Sequence, residues 1–105
     1  CRNAVAVALN DAPVGIDVEC RRRVARAVIE RVCCETEITA IDSAPDSVME
    51  FIKIWTQKEA LLKCIGTGIR ENMQQILIEN TDYQIFTNPL PDVDGFVSVC
   101  TPIVK

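Results

Sequence analysis

Two short stretches of the sequence combine carboxylates and lysines at spacings that suit chemistry on phosphate groups. Residues 15–19 read GIDVE, and residues 55–63 read WTQKEALLK. Their ionisable side chains are Asp17, Glu19, Lys58, Glu59 and Lys63. Carboxylates bind hard divalent cations, and ammonium groups neutralise phosphate oxygens. Brought together, these residues would form a site for a metal-bound pyrophosphate.

The first stretch is predicted to be a strand over residues 14–19. Because side chains alternate across a strand, Gly15, Asp17 and Glu19 share one face. Two carboxylates roughly 7 Å apart along a strand can converge on one cation, and oxygen-only ligation favours magnesium. The alternative is a solvent-exposed strand edge with ordinary acids.

The second stretch lies in a predicted buried helix whose apolar residues recur at spacings of three, four and seven. Residues 43–46, SAPD, predict its start with Ser43 as the N-cap, and Gly66 or Gly68 predicts its end. The apolar residues that define the pattern are Phe51, Ile54, Trp55, Leu61, Leu62 and Ile65.

Trp55, Glu59 and Lys63 are four residues apart and therefore lie on one stripe of this helix, with Lys58 beside them. The alternative interpretation is a surface ion pair next to a tryptophan that only anchors packing. The second acidic cluster at Asp17 favours the functional interpretation.

Composition limits the classes of protein that fit. The chain has 105 residues, 49% of them hydrophobic, which suits a single compact domain. No run is long enough to span a membrane, and no signal peptide is recognisable. A net charge of -4 argues against nucleic-acid binding. The chain begins at Cys1, close to a predicted strand at residues 4–9, and reads as part of a longer protein.

Six cysteines without a C-x-x-C pair, and no histidine, argue against a zinc site or a cysteine-histidine nucleophile. We therefore expect reduced thiols in a cytoplasmic protein. Five arginines between residues 21 and 31 form a local basic face, which suits an acidic partner or simply a solvated surface.

The remaining patterns predict an α+β fold, with a mostly antiparallel sheet packed against two helices. A helix is predicted at residues 21–33, followed by a polar connection at 34–42 in which Glu37 lies. Short strands are predicted at 75–79, 83–87 and 95–100.

The motifs GIDVE and WTQKEALLK, in this order and at this interval, resemble the paired signature of the 4′-phosphopantetheinyl transferases. The larger type, which serves peptide and polyketide synthases as well as fatty-acid synthesis, is the more similar. The Glu37 region and the closing strand at residues 95–100 also match, so the resemblance spans essentially the whole chain.

This resemblance implies magnesium-dependent transfer of 4′-phosphopantetheine from coenzyme A to a serine of an apo acyl or peptidyl carrier protein, releasing adenosine 3′,5′-bisphosphate. Asp17, Glu19 and Glu59 would be the magnesium ligands. Lys63 would contact the transferred phosphate and Lys58 another phosphate of coenzyme A. Glu59 is the first choice as proton acceptor and Glu37 the second.

The larger type contains two such halves, and this chain resembles the second half of that pseudo-dimer. It would therefore need its missing N-terminal half or self-association as a homo-oligomer to complete the coenzyme A site. The alternative is a non-catalytic module, left by truncation, that binds magnesium, coenzyme A or a carrier protein.

Overall fold

The structure, a computed structural model, describes residues 13–66 and 72–103. Within these ranges the chain forms three strands and four helices. In chain order they are β1 (Gly15–Cys20), α1 (Arg26–Val32), α2 (Glu35–Ser43), α3 (Ser47–Ile65), α4 (Ile76–Glu79), β2 (Tyr83–Pro89) and β3 (Gly95–Pro102). The predicted strand at residues 4–9 and the alternative helix end at Gly68 lie outside the described residues.

The three strands form an antiparallel sheet in the order β1-β3-β2. At the middle of the sheet Ser98 lies opposite Asp17 on one side and opposite Thr87 on the other. The Thr87 and Ser98 hydroxyl oxygens are 3.0 Å apart, and Gln57 of α3 donates a hydrogen bond to Thr87 at 3.1 Å. The α+β class with an antiparallel sheet is thus confirmed.

Helix α3 packs across one face of this sheet and is the most buried element of the described chain. Ten of its side chains are buried, including Phe51, Ile52 and Leu61. No helix in the described ranges is long and apolar enough to cross a membrane. The hydrophobic core around α3 consists of Val32, Cys33, Ile41, Phe51, Ile52, Ile54, Ala60, Leu61, Leu62, Cys64, Met73, Ile76 and Cys100.

The ends of α3 partly follow the sequence signals. Asp46 caps its N-terminus by accepting a hydrogen bond from the Met49 amide at 3.2 Å, so the prediction of Ser43 as N-cap was wrong. Ser43 instead ends α2, where its hydroxyl donates to the Thr39 carbonyl. At the other end Gly66 adopts the left-handed conformation with φ 76°, which confirms the predicted glycine stop.

Residues 34–42, predicted to be a polar connection, contain helix α2 instead. The amide of Cys34 donates to the Glu37 carboxylate at 2.8 Å, which satisfies one of the free amides at the helix start. Ile41 then anchors the helix in the core. With so few apolar residues in this segment, periodicity alone did not reveal the helix.

Two further elements differ from expectation. Residues 75–79, predicted to be a strand, contain the single-turn helix α4, since a run of three apolar residues does not distinguish the two states. Helix α1 begins at Arg26 and not at Arg21. The other two predicted strands of this half are confirmed as β2 and β3, each extended by two residues.

The cysteines within residues 13–66 and 72–103 divide into two groups. Cys33, Cys34, Cys64 and Cys100 are buried free thiols, as expected. Cys20 is disulfide-bonded, so the expectation of reduced thiols was wrong for this residue. Burial raises the pKa of Cys100 to about 12 and that of Cys33 to about 11, which makes both thiols poor nucleophiles.

The contact between β1 and α3 depends on the absence of a side chain at Gly15. A Cβ at this position would overlap the carbonyl oxygen of Ala60 and the amide nitrogen of Cys64. Both are backbone atoms of a buried helix and have little freedom to move. The glycine therefore sets the distance between the strand that carries Asp17 and the helix that carries Lys63.

We expect Gly15→Ala to lower the free energy of unfolding by about 3 kcal/mol, because it forces strand and helix apart. Urea denaturation measures this loss. Gly66→Ala is the control, since a Cβ there meets no neighbouring atom and only the positive φ is strained, at roughly 1 kcal/mol. Equal losses for the two substitutions would contradict the close-approach explanation.

Candidate active site

The candidate site lies between β1 and α3, where Asp17 meets Lys63. The Nζ atom of Lys63 is 2.8 Å from Oδ1 of Asp17. Asp17 is only 6% exposed, whereas the Lys63 side chain remains 52% exposed. A buried carboxylate is thus joined to a cation that still has access to solvent. The structure brings together these two predicted site residues although they are 46 positions apart in the sequence.

The second carboxylate oxygen of Asp17, Oδ2, is in a different environment from Oδ1. Within the described part of the chain, Oδ2 of Asp17 is buried and has no hydrogen-bond partner. Buried polar atoms without partners are rare in folded proteins, and such an atom often marks a place for an ion or ligand. The Oδ2 atom is therefore a candidate ligand for a cation, or acceptor for a hydrogen-bond donor, beside Lys63.

Glu19 lies on the same strand face and close enough to influence Asp17. Its carboxylate is paired with Arg22, with Nη1 2.6 Å from Oε1. The Glu19 side chain also raises the pKa of the Asp17 carboxyl. Asp17 and Glu19 are thus neighbours on one face of β1, and each has a cation beside it. The role of Arg22 as the partner of Glu19 was not anticipated from the sequence.

The pKa of Asp17 is raised from 3.8 to about 7. Burial is the largest cause, and Glu19 adds to the rise through a hydrogen bond and charge repulsion, while Lys63 opposes it. Carboxyl groups held this close disfavour double ionisation unless a counter-charge is supplied. The environment of Asp17 is thus one in which a bound cation would be stabilising.

Glu59, the third predicted metal ligand, is 7% exposed and precedes Ala60, the residue against which Gly15 packs. Over residues 13–66 and 72–103, however, no three acidic, cysteine or histidine side chains are gathered closely enough to hold a metal ion. The structure brings Asp17 and Glu19 together, and Glu59 as third ligand stays a prediction. The paired carboxylates and the unpartnered Oδ2 atom nevertheless fit an oxygen-ligated cation such as magnesium.

Lys58 and Glu37 lie in a different part of the molecule. Lys58 is fully buried, and its Nζ atom is 2.8 Å from Oε1 of Glu37. Five residues separate Lys58 from Lys63, which places them about 140° apart around the helix. The structure pairs these two predicted site residues with each other and not with Asp17.

A cavity of about 410 Å³ lies on the N-terminal half of α3. Trp55 is half-buried and stacks on Phe51, with ring centroids 6.2 Å apart, which supports its predicted role as a packing anchor. The side of Trp55 toward α1 and the turn at residues 72–75 is open to the cavity. The described lining residues are Arg31, Val32, Trp55, Asn72, Met73 and Gln74.

The polar side chains next to Asp17 were not predicted from the sequence. Ser98 is fully buried opposite Asp17, and it is linked through Thr87 to Gln57 of α3. Nothing in the local sequence indicates this chain of hydrogen bonds, because its three members come from three separate elements. These hydrogen bonds join α3 to the two neighbouring strands β2 and β3.

The chain matches a family model over residues 13–97, which includes the strand, the helix and both charged stretches described above. The model is that of the 4′-phosphopantetheinyl transferase superfamily. The protein therefore belongs to the 4′-phosphopantetheinyl transferase superfamily, as the paired motifs predicted.

A curated relative supports the same assignment. The chain is 33% identical over 90 residues to 4′-phosphopantetheinyl transferase psf-1 of Bacillus pumilus. The alignment covers 84% of this chain but only 39% of the relative. The chain thus spans well under half the length of the curated protein that it matches.

The raised pKa of Asp17 predicts a specific pH dependence of stability. The folded chain binds the Asp17 proton more tightly than the unfolded chain, whose carboxyl titrates near 3.8. Between pH 3.8 and about 7 the folded chain carries the extra proton, so its free energy of unfolding falls as the pH rises through this window.

We expect Asp17→Asn to remove this pH-dependent fall in the free energy of unfolding in metal-free buffer. The substitution should stabilise the chain more at pH 8 than at pH 5, by roughly 2 kcal/mol, since only the wild-type carboxyl becomes charged. Urea denaturation at the two pH values with a chelator present measures the difference. Asp92→Asn, at an exposed acid, serves as control. A difference independent of pH would contradict the shifted pKa.

Proposed function

We propose that this chain forms the magnesium- and coenzyme A-binding part of a 4′-phosphopantetheinyl transferase. The reaction moves 4′-phosphopantetheine from coenzyme A to a serine hydroxyl of an apo acyl or peptidyl carrier protein and releases adenosine 3′,5′-bisphosphate. The observation that carries this proposal is the buried Oδ2 atom of Asp17, which has no hydrogen-bond partner in the described ranges. It lies next to Glu19 and Lys63, within the region that matches the family.

Asp17, Glu19 and Glu59 would hold the magnesium ion. When bound, magnesium would neutralise charge on the pyrophosphate of coenzyme A during cleavage. Arg22 pairs with Glu19, and Lys63 pairs with Asp17. Metal binding would release both cations for other partners.

Lys63 is the residue that we assign to the transferred phosphate. Its amine reaches Asp17 from a side chain that is half exposed, so it can turn toward a phosphate without leaving the site. Positive charge near the developing negative charge stabilises the transition state of phosphoryl transfer. The exposure of Lys63 distinguishes it from Lys58, which is fully buried.

The serine nucleophile belongs to the carrier protein and must lose a proton. We assign Glu59 as the acceptor, directly or through a water, because its nearly buried carboxylate lies one helical turn from Lys63. Glu37, the second choice from the sequence, has its Oε1 atom engaged by Lys58 and by the Cys34 amide. These two bonds argue against Glu37 as the acceptor.

The basic face near residues 21–31 is partly neutralised. Arg21 pairs with Asp46 at 2.6 Å, and Arg26 pairs with Asp42 at 2.7 Å. A solvent-facing cavity of about 470 Å³ remains beside the run of three arginines at residues 21–23. We propose that this run contributes to docking of an acidic carrier protein, through charge complementarity that guides encounter.

The length of the chain favours a second candidate function. Since the alignment covers only 39% of the relative, the coenzyme A site is expected to need either the rest of a longer protein or a second copy of this chain. Without such a partner, the chain would be a non-catalytic module that binds magnesium, coenzyme A or a carrier protein. A transfer assay separates the two functions.

We expect the chain to add one phosphopantetheine arm to an apo acyl carrier protein in the presence of coenzyme A and magnesium, as seen by mass spectrometry of the carrier. Glu59→Gln should lower the rate at least about 100-fold, since it removes a charge while keeping the shape. Glu50→Gln on the same helix is the matched control, because Glu50 only pairs with Lys53 at the surface. Equal rates for both variants would refute the role of Glu59.

Magnesium binding has a readout that does not depend on turnover. Saturating magnesium should raise the free energy of unfolding by about 1–3 kcal/mol, because the ion binds only the folded chain. Asp17→Asn should abolish this gain, whereas Glu50→Gln should retain it. Thermal denaturation with and without magnesium tests both. A gain that persists in Asp17→Asn would place the cation elsewhere.

A further inference from the structure

The ammonium group of Lys58 has no donor left for a ligand. Its Nζ atom contacts Oε1 of Glu37 at 2.8 Å and donates to the carbonyl oxygens of Met73 at 2.5 Å and Gln74 at 3.3 Å. An ammonium group has three N–H donors, and here three acceptors surround it. The side chain is also completely buried. A phosphate could reach it only if these bonds were broken.

Glu37 is held in a similar way. Its Oε1 atom accepts from Lys58 and from the amide of Cys34, and the second of these bonds starts helix α2. Because Oε1 already accepts hydrogen bonds from an ammonium group and an amide, Glu37 has a structural role. Both residues expected to act in the chemistry are therefore engaged in holding three segments together: α2, α3 and the turn at residues 72–75.

The carbonyls held by Lys58 belong to the wall of the cavity at Trp55. Met73 and Gln74 line this cavity, and Asn72, the first residue of the turn, has a positive φ of 59°. Asparagine adopts this left-handed conformation readily, which suits a tight turn. A second, exposed tether joins the Gln74 side chain to the Glu30 carbonyl at 2.9 Å. Lys58 supplies the buried tether.

We infer that Glu37 and Lys58 form a buried clamp that fixes the turn at residues 72–75 against α3 and so shapes the cavity at Trp55. They are positioning residues that act as one unit, and neither transfers a proton nor contacts a phosphate. The consequence for turnover rests on the proposed transferase function, whereas the consequence for the cavity does not.

The sole tryptophan of the chain makes the clamp measurable without any activity. Breaking only one partner would leave a buried charge unpaired and could unfold the chain. The double variant Lys58→Met with Glu37→Gln removes both charges and keeps the side-chain volumes, but leaves the carbonyls of Met73 and Gln74 without their donor. We expect acrylamide quenching of Trp55 roughly to double in this variant, because the cavity wall loosens.

The matched control is Lys53→Met with Glu50→Gln. These residues form an ion pair on the same helix at 3.0 Å, with side chains that are 38% and 23% exposed, unlike the fully buried Lys58. This variant should quench as the wild type does. Unchanged quenching in the clamp variant, with its native circular dichroism retained, would overturn the inference.

Turnover provides the second readout through a double-mutant cycle on transfer to an apo carrier protein. The single variants enter this cycle only where circular dichroism shows that they are folded; otherwise quenching of the double variant decides. If the two residues act as one clamp, the double variant loses no more activity than the worse single variant. If Lys58 contacted a phosphate and Glu37 took the proton, the two losses would multiply, and the inference would be overturned. If the wild type transfers nothing, the non-catalytic function is favoured over catalysis by the isolated chain, and quenching alone decides whether the clamp exists.

Discussion

The constraint on which the structure depends is the burial of charge on α3. A helix that crosses a sheet at the centre of a domain would ordinarily be apolar on every buried side, yet α3 buries Lys58 and Glu59. Burying an ionisable group is costly unless partners replace its water. The elements around α3 supply such partners: Glu37 comes from α2, and the carbonyls at Met73 and Gln74 come from the turn before α4. The fold encloses these charges on two different sides of one helix.

Those two sides have different properties. Toward β1, Lys63 remains half exposed, and Oδ2 of Asp17 has no hydrogen-bond partner among the residues that the structure describes. On the side of α2, every donor of Lys58 is occupied. A site that binds and releases a ligand needs groups that can exchange partners, whereas a framework needs groups that cannot. This difference separates the candidate active site from its support, although the motif at residues 55–63 supplies residues to both.

Much of the site was predictable because strand and helix periodicities are local. Alternation placed Asp17 and Glu19 on one face of β1, and the apolar pattern identified α3 with its stop at Gly66. The errors occurred where tertiary contacts decide the structure. Helix α2 depends on Ile41 entering a core built by other elements, and the partners of Lys58 come from segments that lie 21 residues before and 15 residues after it. The spacing of residues in the sequence does not indicate such contacts.

Gly15 has a consequence for the pairing of the strands as well as for their packing. If β1 slipped by one residue along β3, every side chain of the strand would change faces, and the neighbouring Val14 or Ile16 would lie against the backbone of Ala60. A branched side chain cannot occupy a space that excludes even a single Cβ. The slipped sheet would keep its backbone hydrogen bonds but would turn Asp17 and Glu19 away from the helix. Gly15 therefore specifies the register of β1 on β3, because the slipped sheet, in which Asp17 and Glu19 face away from α3, is sterically excluded.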